Sequence, residues 1–318
     1  MKKLLCVLLA AVMAVMLFAG CAGANANKTP VNVAALKGPT GMGMAVIMGD
    51  EFKEKYNIAL SAAPDDVSAK LISGEVDIAA VPLNLASVLY NKTEGQIVML
   101  AVNTLGVLYI LENGDSIQTI DDLAGKTLYA TGQGSTPEYM LNYLLAQYGL
   151  ADQVSIEYKS EHSELATLMV SGDAALGMLP EPMVTNVTMK NADVRVALDL
   201  NGLWEEKTGI ASVQGCLVVR KAYLEANEKT VKAFLEDYKA SIDYVNEHHT
   251  KASLLMEAYG LVDAAAAGEA SIGKSNIVYV AGKDAREMAG AMLKVLFDAN
   301  PKSVGGALPG DEFYYNGK

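Results

Sequence analysis

The chain has 318 residues, 51% hydrophobic and 19% charged, which excludes a disordered or collagen-like polymer and suits about two ordinary domains. Its net charge of −12 repels phosphate backbones, so no nucleic-acid partner is expected. Three His and three Cys, scattered along the chain, are too few for a zinc module, and no metal site is expected.

The N-terminus reads as an address. Met1-Lys2-Lys3 is a short basic start, followed by an apolar run of fifteen residues from Leu4 to Phe18. That is short for a bilayer, which needs about 20 residues, but it fits the apolar stretch of a signal peptide. Ala19-Gly20-Cys21 comes next and resembles the bacterial lipobox, with Phe18 where Leu is usual. On that resemblance residues 1–20 are a lipoprotein signal peptide and Cys21 is the lipidated mature N-terminus. An ordinary signal peptide, cut after a small residue, is the alternative. Residues 21–30 are small and polar and read as a flexible tether. Cys6 leaves with the signal, so Cys216 has no disulfide partner. In Cys216-Leu217-Val218-Val219 it reads as a small buried hydrophobe.

Short β-like and helix-like runs then alternate, the pattern of an α/β fold. Val31–Leu36 is a strand, and the loop from Gly38 to Gly43 opens a predicted helix through about Lys55. Pro64-Asp65-Asp66 starts a helix with Val67 and Leu71 on one face, and Gly74 stops it. Val76–Val81 is a buried strand ending at Pro82. A strand near Thr104–Leu111 is a crossing between two halves of the chain.

The same order then recurs. Lys126–Ala130 is a strand, Thr131 to Thr136 is a glycine-rich loop, and Pro137 opens a helix that Gly149 closes. Val154–Tyr158 leads to a helix around Leu165, Leu168 and Met169. Ser171-Gly172 ends it as Ser73-Gly74 ended the first, and Pro180 follows Gly172 at the spacing of Pro82 from Gly74. A unit near a hundred residues, occurring twice, is two similar lobes and not a solenoid. Val213–Val219 is the second crossing strand. Helices over Glu228–Asn246, Lys251–Tyr259 and Asp284–Phe297 complete the first lobe, and Phe313-Tyr314-Tyr315 caps its core.

Four segments together carry a family resemblance. Ile120-Asp121-Asp122-Leu123-Ala124-Gly125-Lys126-Thr127 resembles the L-x-D-L-x-G-K opening of the second lobe in periplasmic-binding-type proteins. Leu71-Ile72-Ser73-Gly74-Glu75-Val76-Asp77-Ile78-Ala79 resembles their L-x-x-G-x-x-D-x-A step. With the lipobox-like start and Glu181-Pro182, the chain is similar to solute-binding lipoproteins of ABC importers, in the nitrate/sulfonate/taurine and thiamine-pyrimidine branch.

The resemblance implies an α/β fold of the periplasmic binding protein-like II type. Two similar lobes, each a mixed, mostly parallel sheet flanked by helices, are joined by two crossover strands. Lobe 1 would be residues 31–105 plus 214–318, and lobe 2 residues 106–213. It also implies a monomer on the outer face of the membrane, held by its lipid and serving a permease and its ATPase. Reaction chemistry belongs to that ATPase, so no cofactor and no catalysis are expected. An enzyme on the same scaffold, of pyrimidine-forming or lyase type, and a lipid-anchored sensor without a transporter are the alternatives.

Carried over by position, the first-lobe ligand contacts are Thr40, Gly41, Met42, Gly43, Pro82 and Asn84. The second-lobe contacts are Gly132, Gln133, Ser135, Thr136 and Glu181, with Thr104 and Gln214 near the crossings. Several have a plainer reading: Thr40 and Thr136 as N-caps, the glycines as turn formers, Met42 as core, Glu181 as a structural acid. His162, after a second-lobe strand, could face the cleft, but it reads more simply as part of a solvated helix start. The solute is a small polar organic molecule, an amine, a heterocycle or a sulfonate. The three Arg, at 195, 220 and 286, lie outside the contact loops, so an Arg fork for an anion is lacking. Helix N-termini could still hold a sulfonate, and Glu181 could hold an amine. The expected solute is therefore neutral or amine-bearing.

Overall fold

The computed structural model describes residues 29–61 and 63–317. The signal segment and Cys21 lie outside the described residues. The strands in chain order are β1 (Val31–Leu36), β2 (Tyr56–Ser61), β3 (Ile78–Pro82), β4 (Ile97–Leu105), β5 (Leu108–Asn113) and β6 (Thr127–Ala130). They continue with β7 (Ser155–Tyr158), β8 (Leu176–Pro180), β9 (Val194–Asp199), β10 (Val213–Arg220) and β11 (Ile277–Ala281). Two sheets result, in the orders β11-β4-β10-β3-β1-β2 and β7-β6-β8-β5-β9.

Both sheets are mixed. Parallel pairing is confined to β2-β1-β3 and β7-β6-β8. The pairs β10·β3, β10·β4, β11·β4, β5·β8 and β5·β9 are antiparallel. The expectation of mostly parallel sheets is therefore corrected. Strands that carry the chain between sheets arrive and leave in opposite directions, and each adds an antiparallel neighbour.

The first sheet is apolar on both faces, with the two-residue alternation a strand requires. Ala34, Ala79, Cys216 and Val218 face one cluster that continues through Leu108, Leu128, Leu141 and Trp204 of the second sheet's side. Val33, Ala35, Ile78, Ala80, Leu217 and Val219 face a second cluster with Phe234, Tyr238 and Ile242. Cys216 is buried among these, as expected, and burial pushes its thiol pKa up. Phe313 is fully buried and Tyr314 bridges to Met99, so the tail caps the core.

The loop from Gly38 to Gly43 does not open a helix through Lys55. It forms only α1 (Pro39–Met42), followed by turns and a short 3-10 segment at Asp50–Phe52. The cause is tertiary. Val46 N–H donates to Ser241 Oγ, and Ser241 in turn donates to the Gly43 carbonyl, so an outside hydroxyl replaces the helical ladder. Gly43 also sits so close to Ile242 that an added Cβ would lie 2.8 Å from it.

The next helices are α2 (Pro64–Ser73), α3 (Leu83–Lys92), α4 (Thr136–Gln147), α5 (His162–Ser171), α6 (Met183–Lys190) and α7 (Leu200–Thr208). After them come α8 (Lys221–Ala226), α9 (Glu228–Glu247), α10 (His249–Ala258), α11 (Ala265–Ile272) and α12 (Gly282–Ala299). The repeat is visible in their caps. Gly74 and Gly172 end α2 and α5 in the left-handed conformation, at φ 80° and 82°. Each is followed by a buried strand that ends in proline, Pro82 or Pro180. The predicted crossing near Thr104–Leu111 is two strands in different sheets, β4 and β5, linked by Gly106-Val107.

Candidate functional site

Loops from both sheets meet at the carboxyl ends of β1, β3, β6 and β8 and enclose a cavity of about 90 Å³. Open α/β sheets bind ligands at this edge because helix N-termini converge there. The first sheet's side supplies Leu36, Lys37, Pro39, Thr40, Pro64 and Pro82. The second supplies Gly132, Ser135, Pro137, Pro180 and the segment Ser160-Glu161-His162. Val107, Leu108 and Gln214 come from the crossings. Five of the chain's nine prolines line this one space, so its walls are largely ring hydrocarbon.

The loops touch across the cavity's flank. Asn84, at the start of α3, donates from Nδ2 to the Gly134 carbonyl at 3.3 Å and to the Ser303 carbonyl at 3.1 Å. Its Oδ1 accepts from Thr136 Oγ1 at 3.1 Å, and its backbone N–H donates to the same hydroxyl at 3.3 Å. Asn84 and Thr136 are both buried, so the bonds between their side chains are shielded from water, and with the bond to exposed Gly134 they act as a latch between the sheets' loops.

His162 is the group that sequence reasoning undervalued. Its Nδ1 lies 2.7 Å from Thr131 Oγ1, and the ring lines the cavity. Burial pushes its pKa down to about 4, so the imidazole is neutral near pH 7. The available signal was its position just beyond the carboxyl end of β7, the sheet edge that carries the other loops. Surrounding Ser and Glu residues masked it as a solvated helix start.

A wider groove of about 540 Å³ lies between α4 and the end of α12, where Tyr139 and Tyr143 face Val295 and Leu296. Its lining comes from helices and Asn300, with no residue of a strand end, and it shares no lining residue with the smaller cavity. Position, not size, therefore selects the small cavity as the candidate site.

A family model described as NMT1/THI5 like matches residues 55–252. The chain belongs to the NMT1/THI5-like family. A search of curated proteins finds no match. Among solved structures, the chain is similar to an ABC transporter from Parabacteroides distasonis, with TM-score 0.76 and 25% identity over 91% of this chain and 99% of that one. It is similar in fold to the alkanesulfonate-binding protein from Xanthomonas axonopodis pv. citri bound to MOPS, with TM-score 0.69 and 15% identity over 90% and 96%. A Candida albicans protein with the generic periplasmic binding protein fold gives TM-score 0.60 and 16% identity over 89% and 92%. The NMT1/THI5-like chain thus has the periplasmic binding protein fold.

Of the thirteen expected contact residues of this NMT1/THI5-like protein, Thr40, Pro82, Gly132, Ser135 and Gln214 line the cavity. The other eight lie off its wall. Met42 is core. Gly41 packs on the Leu36 carbonyl, where an added Cβ would come within 2.5 Å, and Gly43 packs on Ile242. Thr104 is buried and donates to Asn103 Oδ1 at 3.1 Å, while Gln133 is exposed on its loop. Asn84 and Thr136 form the latch.

Glu181 is buried and faces its own helix. Its two oxygens accept from Thr185 N–H and Thr185 Oγ1, each at 3.0 Å, at the start of α6. Burial raises its pKa, and the Thr185 bonds oppose that.

Proposed function

We propose that this chain is the extracytoplasmic solute-binding component of an ABC importer, capturing a small organic molecule between two lobes and presenting it to a permease. The observation that carries the reading is a cavity walled by loops of both sheets at their strand ends, with a hydrogen-bonded latch beside it. The structural neighbours named as an ABC transporter and a sulfonate-binding protein support the same role. The lobes on this reading are residues 31–105 with 214–318, and residues 106–213. Thr40, Pro82, Gly132, Ser135 and Gln214 contact the solute, joined by His162. Turnover is left to the partner ATPase, and the chain works as a monomer without a cofactor.

Binding selects the closed arrangement only through its differential affinity for it. Solution scattering should therefore show compaction when solute is added. An unchanged radius with solute bound would defeat the two-lobe closure, and conversion of the solute would favour an enzyme on this scaffold. Lipidation at Cys21 anchors the chain to the outer face of the membrane on this reading. Cys21→Ala is expected to move the protein from the membrane fraction to the soluble fraction; retention in the membrane would refute the anchor.

A further inference from the structure

The cavity's chemistry narrows the class of solute, an inference that rests on the binding role proposed above. Five helices begin at this space. α1 is a single turn opened by Pro39, and α3 starts after Pro82 with its Asn84 N–H already donated to Thr136 Oγ1. The other three, α2, α4 and α5, are each poorly equipped for an anion. Pro64 opens α2 and Pro137 sits in the first turn of α4, so N–H donors are missing and pyrrolidine rings stand in their place. Each helix also carries its own carboxylates. Asp65 and Asp66 lie in the first turn of α2. Glu138 Oε2 accepts from Gly134 N–H at the start of α4, and Glu164 Oε2 accepts from Ser160 N–H at the start of α5. A second anion would meet filled donors and like charge.

The wall itself carries one Lys and one Glu, Lys37 and Glu161, both exposed at the rim, and their charges cancel. Glu181, the carboxylate that would have favoured an amine, is turned away to Thr185. What remains inside is a small set of neutral polar atoms. The Thr131 hydroxyl is buried, and among the described residues its one partner is His162 Nδ1. Donating to Nδ1 satisfies its hydrogen, which places the imidazole proton on Nε2 and makes Nε2–H a donor. Gln214 uses Nε2 against the Met140 sulfur, leaving Oε1 as an acceptor without a partner among the described residues. Thr40 Oγ1 likewise has no side-chain partner among them.

We infer that the cavity takes a compact, uncharged molecule with an apolar body and an adjacent donor and acceptor, an amide or lactam edge, recognised by His162 Nε2–H and Gln214 Oε1. The proline rings cover the apolar body and the two side chains read the edge. Removing either reader leaves a buried polar edge of the solute unpaired.

The test is calorimetric titration of the whole purified chain with 2-pyrrolidinone, δ-valerolactam, cyclopentanone, pyrrolidine, butyrate and propanesulfonate. The lactams are expected to bind about tenfold more tightly than cyclopentanone, which lacks the donor, and more tightly than any ion. His162→Phe and Gln214→Leu should each weaken lactam binding about tenfold, with His162→Gln recovering part of the loss through its N–H. Thermal unfolding of each variant separates lost recognition from lost folding. Preference for butyrate, propanesulfonate or pyrrolidine overturns the inference and leaves the binding role intact, as does lactam binding indifferent to both substitutions. Failure of every probe, with scattering unchanged throughout, overturns the binding role and the inference together.

Discussion

At the scale of single residues, burial and hydrogen bonding decide what each polar group can do. His162 and Glu181 make the contrast. Each was a candidate for facing the solute, and both have pKa values moved by burial, yet the protein uses them differently. Glu181 spends both oxygens on Thr185, while His162 spends one nitrogen on Thr131 and keeps the other. The lowered His162 pKa has a consequence for stability. Because the folded value of about 4 lies below the ordinary 6.5, the unfolded chain takes the proton first as pH falls. This contribution is complete above about pH 6.5, is lost on the way down to about pH 4, and is level below that, with a ceiling of about 3 kcal/mol. Urea denaturation of wild type and His162→Gln at pH 7.5 and pH 4.5 checks it. Wild type should lose more stability than the variant between the two; equal losses would show that the imidazole is not shielded.

At the scale of elements, close backbone approach shapes the first-sheet side of the site. Gly215 on β10 stands beside Gln214, and an added Cβ would lie 2.6 Å from Thr40 Cγ2 and 2.7 Å from Asn103 Oδ1. Gly215→Ala must therefore push α1 away from β10. A loss of about 1–3 kcal/mol is expected from thermal unfolding, together with weaker solute binding as Thr40 shifts. Unchanged stability would mean that α1 moves freely. The same element shows what sequence patterning misses. Met42, Met44 and Ile47 are all buried as a helix face would be. Ser241, about two hundred residues away, nevertheless breaks the ladder they suggested. Edge strands β2, β9 and β11 were illegible for a related reason. Their burial alternates weakly, and each is defined by the neighbour it pairs with.

At the scale of the whole molecule, the Asn84–Thr136 latch joins loops that belong to different sheets and are 52 residues apart. Asn84→Ala removes its side-chain bonds to Gly134, Ser303 and Thr136. The two that cross to the second sheet's loop, to Gly134 and Thr136, at about 1 kcal/mol each favour the arrangement in which these loops touch. Their loss should enlarge the radius of the solute-free protein in scattering and weaken solute binding about tenfold. An unchanged radius and affinity would reduce the latch to a loop contact without influence on closure.

Local patterns along the chain were enough for the α/β class, the doubled loop–helix–Ser-Gly–strand–Pro order, the buried Cys216 and the aromatic tail on the core. These are local: periodicity, turn chemistry and caps are written within a few residues of where they act. The family resemblance, which places contacts at strand ends and crossings, pointed to five residues that line the cavity, Thr40, Pro82, Gly132, Ser135 and Gln214. Tertiary structure alone decided which of two titratable groups, half-buried His162 or buried Glu181, reaches the cavity and that α1 stops after one turn. It also decided that loops from two sheets meet through Asn84. Each of these depends on a partner distant in the chain, Thr131 for His162, Ser241 for Val46, Thr136 for Asn84. A hydrogen bond between distant residues leaves no periodic trace in either segment.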